Sequence, residues 1–218
     1  MNTSGLEAFA HRFIPAQAAG ALTLLLLHGT GGDENDLLEL GRALDGQAAL
    51  LSPRGRVSER GANRWFRRLA EGVFDTDDLL ARTDQLTAFV TDAVERYRLD
   101  ASRLVAVGFS NGANIAATLL LRHPHLLRGA VLFAPMVTLN DPPMNDLSGV
   151  GVFLAAGRAD RIAPPEQAER LAEQFIERGA AVELRWHPGG HGIDHHILAQ
   201  ATAWLSKLRA AISTAPLP

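Results

Sequence analysis

Ser110 stands in Gly108-Phe-Ser-Asn-Gly112, after the apolar run Arg103-Leu-Val-Ala-Val107 and before the helix-like Ala113-Asn-Ile-Ala-Ala-Thr-Leu-Leu-Leu121. A G-x-S-x-G between a strand and a helix forces its serine onto a sharp turn with the hydroxyl exposed. Side chains at 108 or 112 would crowd that turn against neighbouring backbone. A serine hydroxyl is a weak nucleophile at neutral pH and needs an adjacent base, itself oriented by a carboxylate. The chain supplies both in the order that follows such an elbow: Asp160 in Ala155-Ala-Gly-Arg-Ala-Asp160, then His191 in Pro188-Gly-Gly-His-Gly192. The chemistry open to this set is acyl transfer.

Asp160 and His191 each have rivals. Asp141 and Asp146 follow the preceding strand and could present a carboxylate to the same imidazole; Asp160 is preferred because Gly157 and a short loop turn it back over the sheet edge. His187 reads as a strand end, and His195 and His196 as the start of the last helix. This leaves His191, bracketed by glycines, the freest to reach Ser110. The spacing His187-x₃-His191-x₃-His195 invites a zinc reading, but a strand end, a glycine turn and a helix start do not share one helical face, so no metal is expected.

Acyl transfer also needs donors for a tetrahedral oxyanion. His28-Gly-Thr-Gly-Gly-Asp33 follows the first apolar strand, and the backbone N–H groups of Thr30 and Asn111 would form the pair. Only backbone is required, so the side chains at 30 and 111 are expected to matter less. The Gly-Lys-Ser/Thr of a phosphate loop is missing, as is the third glycine of a dinucleotide fingerprint, and no cofactor is expected. His28 reads as a structural hydrogen-bonder. In Asn63-Arg-Trp-Phe-Arg-Arg68, Trp65 and Phe66 are candidates to wall a substrate pocket, with arginines that could attract an acidic group. Packing of a loop accounts for them equally well. Met136 and Val137 are further pocket-wall candidates.

The elements that must position these residues alternate along the chain. Leu22–Leu27 is a continuous apolar run, as in a strand buried on both faces of a parallel sheet. A short helix is expected over Asp33–Leu44, a strand over Ala48–Ser52, and an aperiodic excursion from Pro53 to about Thr76. Leu79–Tyr97 carries Leu79, Leu80, Thr83, Leu86, Val90, Val94 and Tyr97 on one helical face. Strand 103–109, helix 111–122 and strands Gly129–Ala134 and Val150–Ala156 follow. Pro164-Pro165 opens a helix that ends near Arg178-Gly179. Strand Ala181–His187 comes next, and Asp194 can cap a final helix to about Ile212. Alternating β and α argues for a mostly parallel sheet covered on both faces. Right-handed crossovers gather the strand C-terminal ends, and with them Ser110, Asp160 and His191, at one edge.

The 218 residues suit one domain spanning 1–218, and 47% hydrophobic with 21% charged residues is ordinary for a globular enzyme. A net charge of −3 gives no reason to expect nucleic acid or an anionic membrane as partner. Cysteine is absent, which removes disulfides, thiolate ligands and cysteine nucleophiles. The N-terminus lacks a basic and apolar leader, and the run Ala21–Leu27 is too short to span a bilayer, so a cytoplasmic location without membrane insertion is expected.

His28-Gly, Gly-Phe-Ser-Asn-Gly, Asp160 and Gly-Gly-His-Gly in this order resemble the α/β-hydrolase superfamily. More closely, the chain is similar to the small carboxylesterase/phospholipase family that includes acyl-protein thioesterases. Within it, His28-Gly-Thr-Gly-Gly-Asp-Glu-Asn-Asp36, Trp65–Phe74 and Gly-Phe-Ser-Asn-Gly-Ala-Asn114 resemble a bacterial carboxylesterase subgroup. The resemblance runs from about residue 9 to 210. It implies an α/β fold with a core of about seven strands and no large lid, Ser110–Asp160–His191 as triad, and Thr30 with Asn111 as oxyanion donors. The implied activity is hydrolysis of a small-molecule ester, with thioester or lysophospholipid hydrolysis as the alternative and a non-catalytic ligand-binding scaffold further behind. Acyl-protein thioesterases differ in carrying Gln at the position of Asn111 and Gly at that of Ala113, and dienelactone hydrolases in using cysteine where this chain has Ser110. The fold is compatible with a homodimer.

Overall fold

The computed structural model describes residues 5–70 and 72–214; residues 1–4, 71 and 215–218, and with them part of the N-terminal stretch read above for a leader, lie outside the described set. The elements run β1 (His11–Ile14), β2 (Thr23–Leu27), α1 (Leu38–Leu44), β3 (Ala49–Pro53), β4 (Val57–Glu59), β5 (Ala62–Arg64), β6 (Arg68–Ala70), β7 (Val73–Phe74) and α2 (Thr76–Tyr97). They continue with β8 (Leu104–Phe109), α3 (Asn111–Arg122), β9 (Gly129–Phe133), β10 (Gly151–Gly157), α4 (Pro165–Ile176), β11 (Ala181–His187) and α5 (His195–Thr214). Seven strands form the central sheet in the order β1-β3-β2-β8-β9-β10-β11. Only β1 is antiparallel to its neighbour.

Period-two alternation along the buried strands builds two apolar layers, one on each face. Leu25, Leu27, Leu104 and Ala106 join Leu86, Phe89, Ile115, Leu119, Leu171 and Phe175 of α2, α3 and α4. Leu24, Leu26, Val105 and Val107 join Leu44, Ile197, Trp204 and Leu205 of α1 and α5. The strand C-terminal ends of β2, β8, β10 and β11 thus open onto one edge, as the crossover rule requires. Among the described residues no helix is long and apolar enough to cross a membrane.

Three regions depart from the expectations above. The helix expected from Asp33 begins only at Leu38, because Asp33 accepts the Asn35 N–H at 2.8 Å and so draws that backbone into a turn. The strand β1 is too short, at four residues, to show a period. The stretch 53–76 holds two antiparallel hairpins, β4–β5 and β6–β7, with strands of two or three residues. Elsewhere local chemistry sets the ends: Asp75 accepts the Asp78 N–H to cap α2 at 3.1 Å, and Asp194 accepts the Ile197 N–H at 2.7 Å at the start of α5.

Candidate active site

Ser110 sits between β8 and α3 with φ +53° and ψ −116°, a conformation costly for a residue with a Cβ. The surroundings hold it there. Its N–H donates to the Phe133 carbonyl of β9 at 2.9 Å, and the Asn114 N–H donates to its own carbonyl at 3.0 Å. A Cβ at Gly108 would come within 2.6 Å of the Ala113 nitrogen, and one at Gly112 would collide with the Leu27 carbonyl. The two glycines let α3 start against β2 and β8 with no room for a side chain.

Ser110 Oγ lies 2.8 Å from His191 Nε2, and His191 Nδ1 lies 2.7 Å from Asp160 Oδ2. A carboxylate only accepts, so Nδ1 carries the proton and, in the neutral ring, Nε2 is left to accept from the serine hydroxyl. The other Asp160 oxygen accepts the N–H groups of Ile162 and Ala163 at 2.8 and 2.9 Å, which fixes the carboxylate from behind. The Asp160 side chain is fully buried, whereas His191 is 17% exposed at the cleft. Phe109 packs against the imidazole with 5.3 Å between ring centroids. Asp141 and Asp146 are exposed, and Asp146 caps its own loop at Ser148. His187 closes β11 with Nδ1 3.8 Å from Asp194, while His195 and His196 open α5. The three spaced histidines therefore do not converge.

The glycine loop after β2 is held from the side by segment 53–66. The Gly31 N–H donates to the Asn63 carbonyl at 2.8 Å, and Asn63 Nδ2 returns a bond to the Gly32 carbonyl at 2.9 Å. Arg64 donates to Thr30 Oγ1 at 2.8 Å, and Trp65 Nε1 to the His28 carbonyl at 2.8 Å. His28 is buried; its Nε2 accepts the Gly55 N–H at 2.9 Å and its Nδ1 donates to the Gly29 carbonyl at 2.7 Å. Burial pushes the imidazole below its ordinary pKa, against the opposing pull of the Gly29 bond and of Asp36, Asp33 and Glu34. Asn111, the first residue of α3, has an N–H with no acceptor within its own helix. Its side chain accepts the Trp65 N–H at 2.8 Å, so it does more than occupy space beside the backbone.

The cavity over Ser110 has a volume of about 50 Å³ and is walled by Thr30, Arg64, Phe74, Asn114, Met136 and Ile162 among others. Met136 is among its lining residues. Trp65 and Phe66 are not: they are 2% and 0% exposed and lie beneath the site, Trp65 under the His28 loop and Phe66 edge-on to Phe74 at 5.3 Å. An aromatic pair next to arginines carries no signal telling floor from wall. Val137 lines a neighbouring cavity of about 240 Å³ that shares Gly72 and Phe74 with the first. Asn114 was missed, although an amide inside an apolar helix is a usable signal; its Oδ1 accepts the Met136 N–H at 2.7 Å and ties the loop after β9 to α3. Arg64 and Arg68 both pair with Glu59, at 3.2 and 3.1 Å.

The chain is similar to several known proteins. MhqD of Bacillus subtilis (strain 168) is 46% identical over 181 residues, covering 83% of this chain and 90% of that protein. The Bacillus cereus carboxylesterase superposes with a TM-score of 0.90 at 42% identity, covering 92% of this chain and 94% of the other. A carboxylesterase from Mesorhizobium loti gives a TM-score of 0.86 at 35% identity, covering 91% and 95%. The Phospholipase/Carboxylesterase family model matches residues 11–209, and the chain belongs to that family of α/β-hydrolases.

Proposed function

We propose that this protein is a serine carboxylesterase acting on small, short-acyl esters. The observation that carries the proposal is the unbroken chain from Ser110 Oγ through His191 to Asp160, with bonds of 2.8 and 2.7 Å. Ser110 Oγ attacks the ester carbonyl while His191 Nε2 takes the hydroxyl proton, and the buried Asp160 carboxylate stabilises the imidazolium. The N–H groups of Thr30 and Asn111 hold the oxyanion. The tetrahedral species collapses as His191 returns its proton to the leaving alcohol, leaving an acyl ester on Ser110. Water, deprotonated by the same imidazole, then releases the acid and restores the hydroxyl.

The cavity argues for a small acyl group. Its volume of about 50 Å³ is on the order of two water volumes, which suits an acetyl or propionyl group better than a long lipid chain. In this reading the neighbouring cavity with Val137 takes the other part of the ester. The test is a panel of p-nitrophenyl esters of rising acyl length, run beside an acyl thioester, with wild-type and Ser110→Ala protein. Highest kcat/KM at the shortest acyl chains, lost in the variant, is the expected result. A preference for long chains or for the thioester, or activity retained without Ser110, would overturn the reading.

A further inference from the structure

The sheet ends on two unlike edges. On one side β1 is four residues long and is followed by Pro15, a residue that blunts strand pairing. On the other, β11 runs seven residues without proline and no strand of the described residues pairs its outer side. Long unpaired edges of this kind are templates for another strand.

The main-chain directions of β11 follow from its inner bonds. The Ala181 N–H donates to the Val150 carbonyl, and the His187 carbonyl accepts the Arg158 N–H, both at 2.9 Å. A residue's N–H and C=O point to the same side of a strand and alternate along it. Residues 181, 183, 185 and 187 therefore face β10, and Val182, Leu184 and Trp186 present N–H and C=O outward. A second β11 laid antiparallel about a two-fold axis through Leu184 sets Leu184 against Leu184 and Val182 against Trp186. Each of these is a pair whose outward groups can exchange both hydrogen bonds.

The same register decides the side chains. It sets Glu183 opposite Arg185 of the partner subunit, and Arg185 opposite Glu183 of the partner subunit, on one face of the joined sheet. Both side chains are free enough to turn outward, at 33% and 47% exposure, and within one chain they already meet at 2.7 Å. Opposite charges at directly facing positions stabilise antiparallel pairing, and like charges oppose it. On the other face, Val182 and Leu184 are half-buried against the layer that contains α4, and Trp186 lies under the Arg158 guanidinium at 4.8 Å. Main-chain direction and charge thus select the same two-fold axis.

We propose that β11 is the interface through which two copies of this chain join their sheets edge to edge, centred on Leu184. The contact is isologous and closes on itself, so it makes a dimer and no fibre. The pairing leaves the Ser110 cleft of each copy outside the contact strand, and the proposal does not depend on the esterase reading.

Sedimentation velocity across a concentration series should give wild-type protein a mass twice the 23.4 kDa of one chain. Glu183→Arg places Arg against Arg twice across the axis and should weaken dimerisation on the order of tenfold or more. Arg185→Glu should do the same, and the double swap Glu183→Arg/Arg185→Glu should recover the dimer. Circular dichroism melts check that each variant is folded. As a second measurement, the chain lacks native cysteine, so Glu183→Cys protein mixed with Arg185→Cys protein should form a disulfide-linked pair on mild oxidation, which neither forms alone at the same rate. A monomeric wild-type protein, single variants that dimerise as wild type does, or no preference for the mixed cross-link would each overturn the proposal.

Discussion

Trp65→Phe isolates the clamp on the glycine loop. The indole N–H donates to the His28 carbonyl at 2.8 Å, and both residues are buried, at 2% and 1% exposure. Phenylalanine keeps an aromatic ring in the same slot but leaves that carbonyl without its donor, a loss of about 1–3 kcal/mol for a buried acceptor. The smaller ring adds a cavity cost, and the total should reach about 2–4 kcal/mol. A domain stable by about 5–15 kcal/mol stays folded at 25 °C, with a melting temperature lowered by about 4–16 °C. The functional effect should be larger than this loss of stability suggests. The His28 carbonyl lies two residues before the Thr30 N–H, and removal of a whole oxyanion donor costs on the order of 10²–10³ in kcat. Displacing the loop should cost part of that, about tenfold to a hundredfold in kcat with KM little changed, because the oxyanion exists only in the transition state. The assay is p-nitrophenyl acetate hydrolysis at 25 °C beside a thermal melt. A variant that loses stability as expected yet turns over within about twofold of wild type would refute the idea that segment 53–66 positions an oxyanion donor.

Ser110→Gly should remove the nucleophile and relieve the φ +53° backbone, raising stability by roughly 1 kcal/mol while activity falls by several powers of ten; a melt and the same ester assay report both. Gly112→Ala should destabilise the protein severely, since its methyl would overlap the Leu27 carbonyl, and loss of soluble folded protein or a large drop in melting temperature is the expected reading. Because burial lowers the His28 pKa, the unfolded chain takes up this proton before the folded one does. The contribution is therefore fully present above about pH 6.5 and declines as pH falls below it, at up to about 1.4 kcal/mol per pH unit. Denaturant melts at stepped pH on wild-type and His28→Gln protein should show that slope in the first and its reduction in the second.

Much of the parallel core was legible because buried strands and amphipathic helices write their periods into contiguous residues. Leu22–Leu27, residues 103–109 and Ala181–His187 could be read from apolar runs and turn punctuation alone, and they correspond to β2, β8 and β11 within a residue or so at each end. The strand β1 and the hairpins β4–β5 and β6–β7 escaped because two to four residues hold no period. The start of α1 was misjudged for a different reason: Asp33 and Asn35 satisfy one another locally, and propensity gives no weight to that competition.

For the candidate site, residue type and position at strand ends were enough to nominate Ser110, Asp160 and His191, since a parallel sheet with right-handed crossovers delivers those ends to one edge. Sequence also determined the glycines at 108 and 112, whose absence of side chains is a local condition for the elbow. Tertiary structure decided what no local rule could. It chose Asp160 over Asp141 and Asp146 by bringing one carboxylate within 2.7 Å of the imidazole. It placed Trp65 and Phe66 beneath the site and gave segment 53–66 the task of holding the loop at Thr30. These outcomes depend on contacts between residues more than thirty positions apart, and such contacts are set by how layers pack, not by the pattern of any one segment.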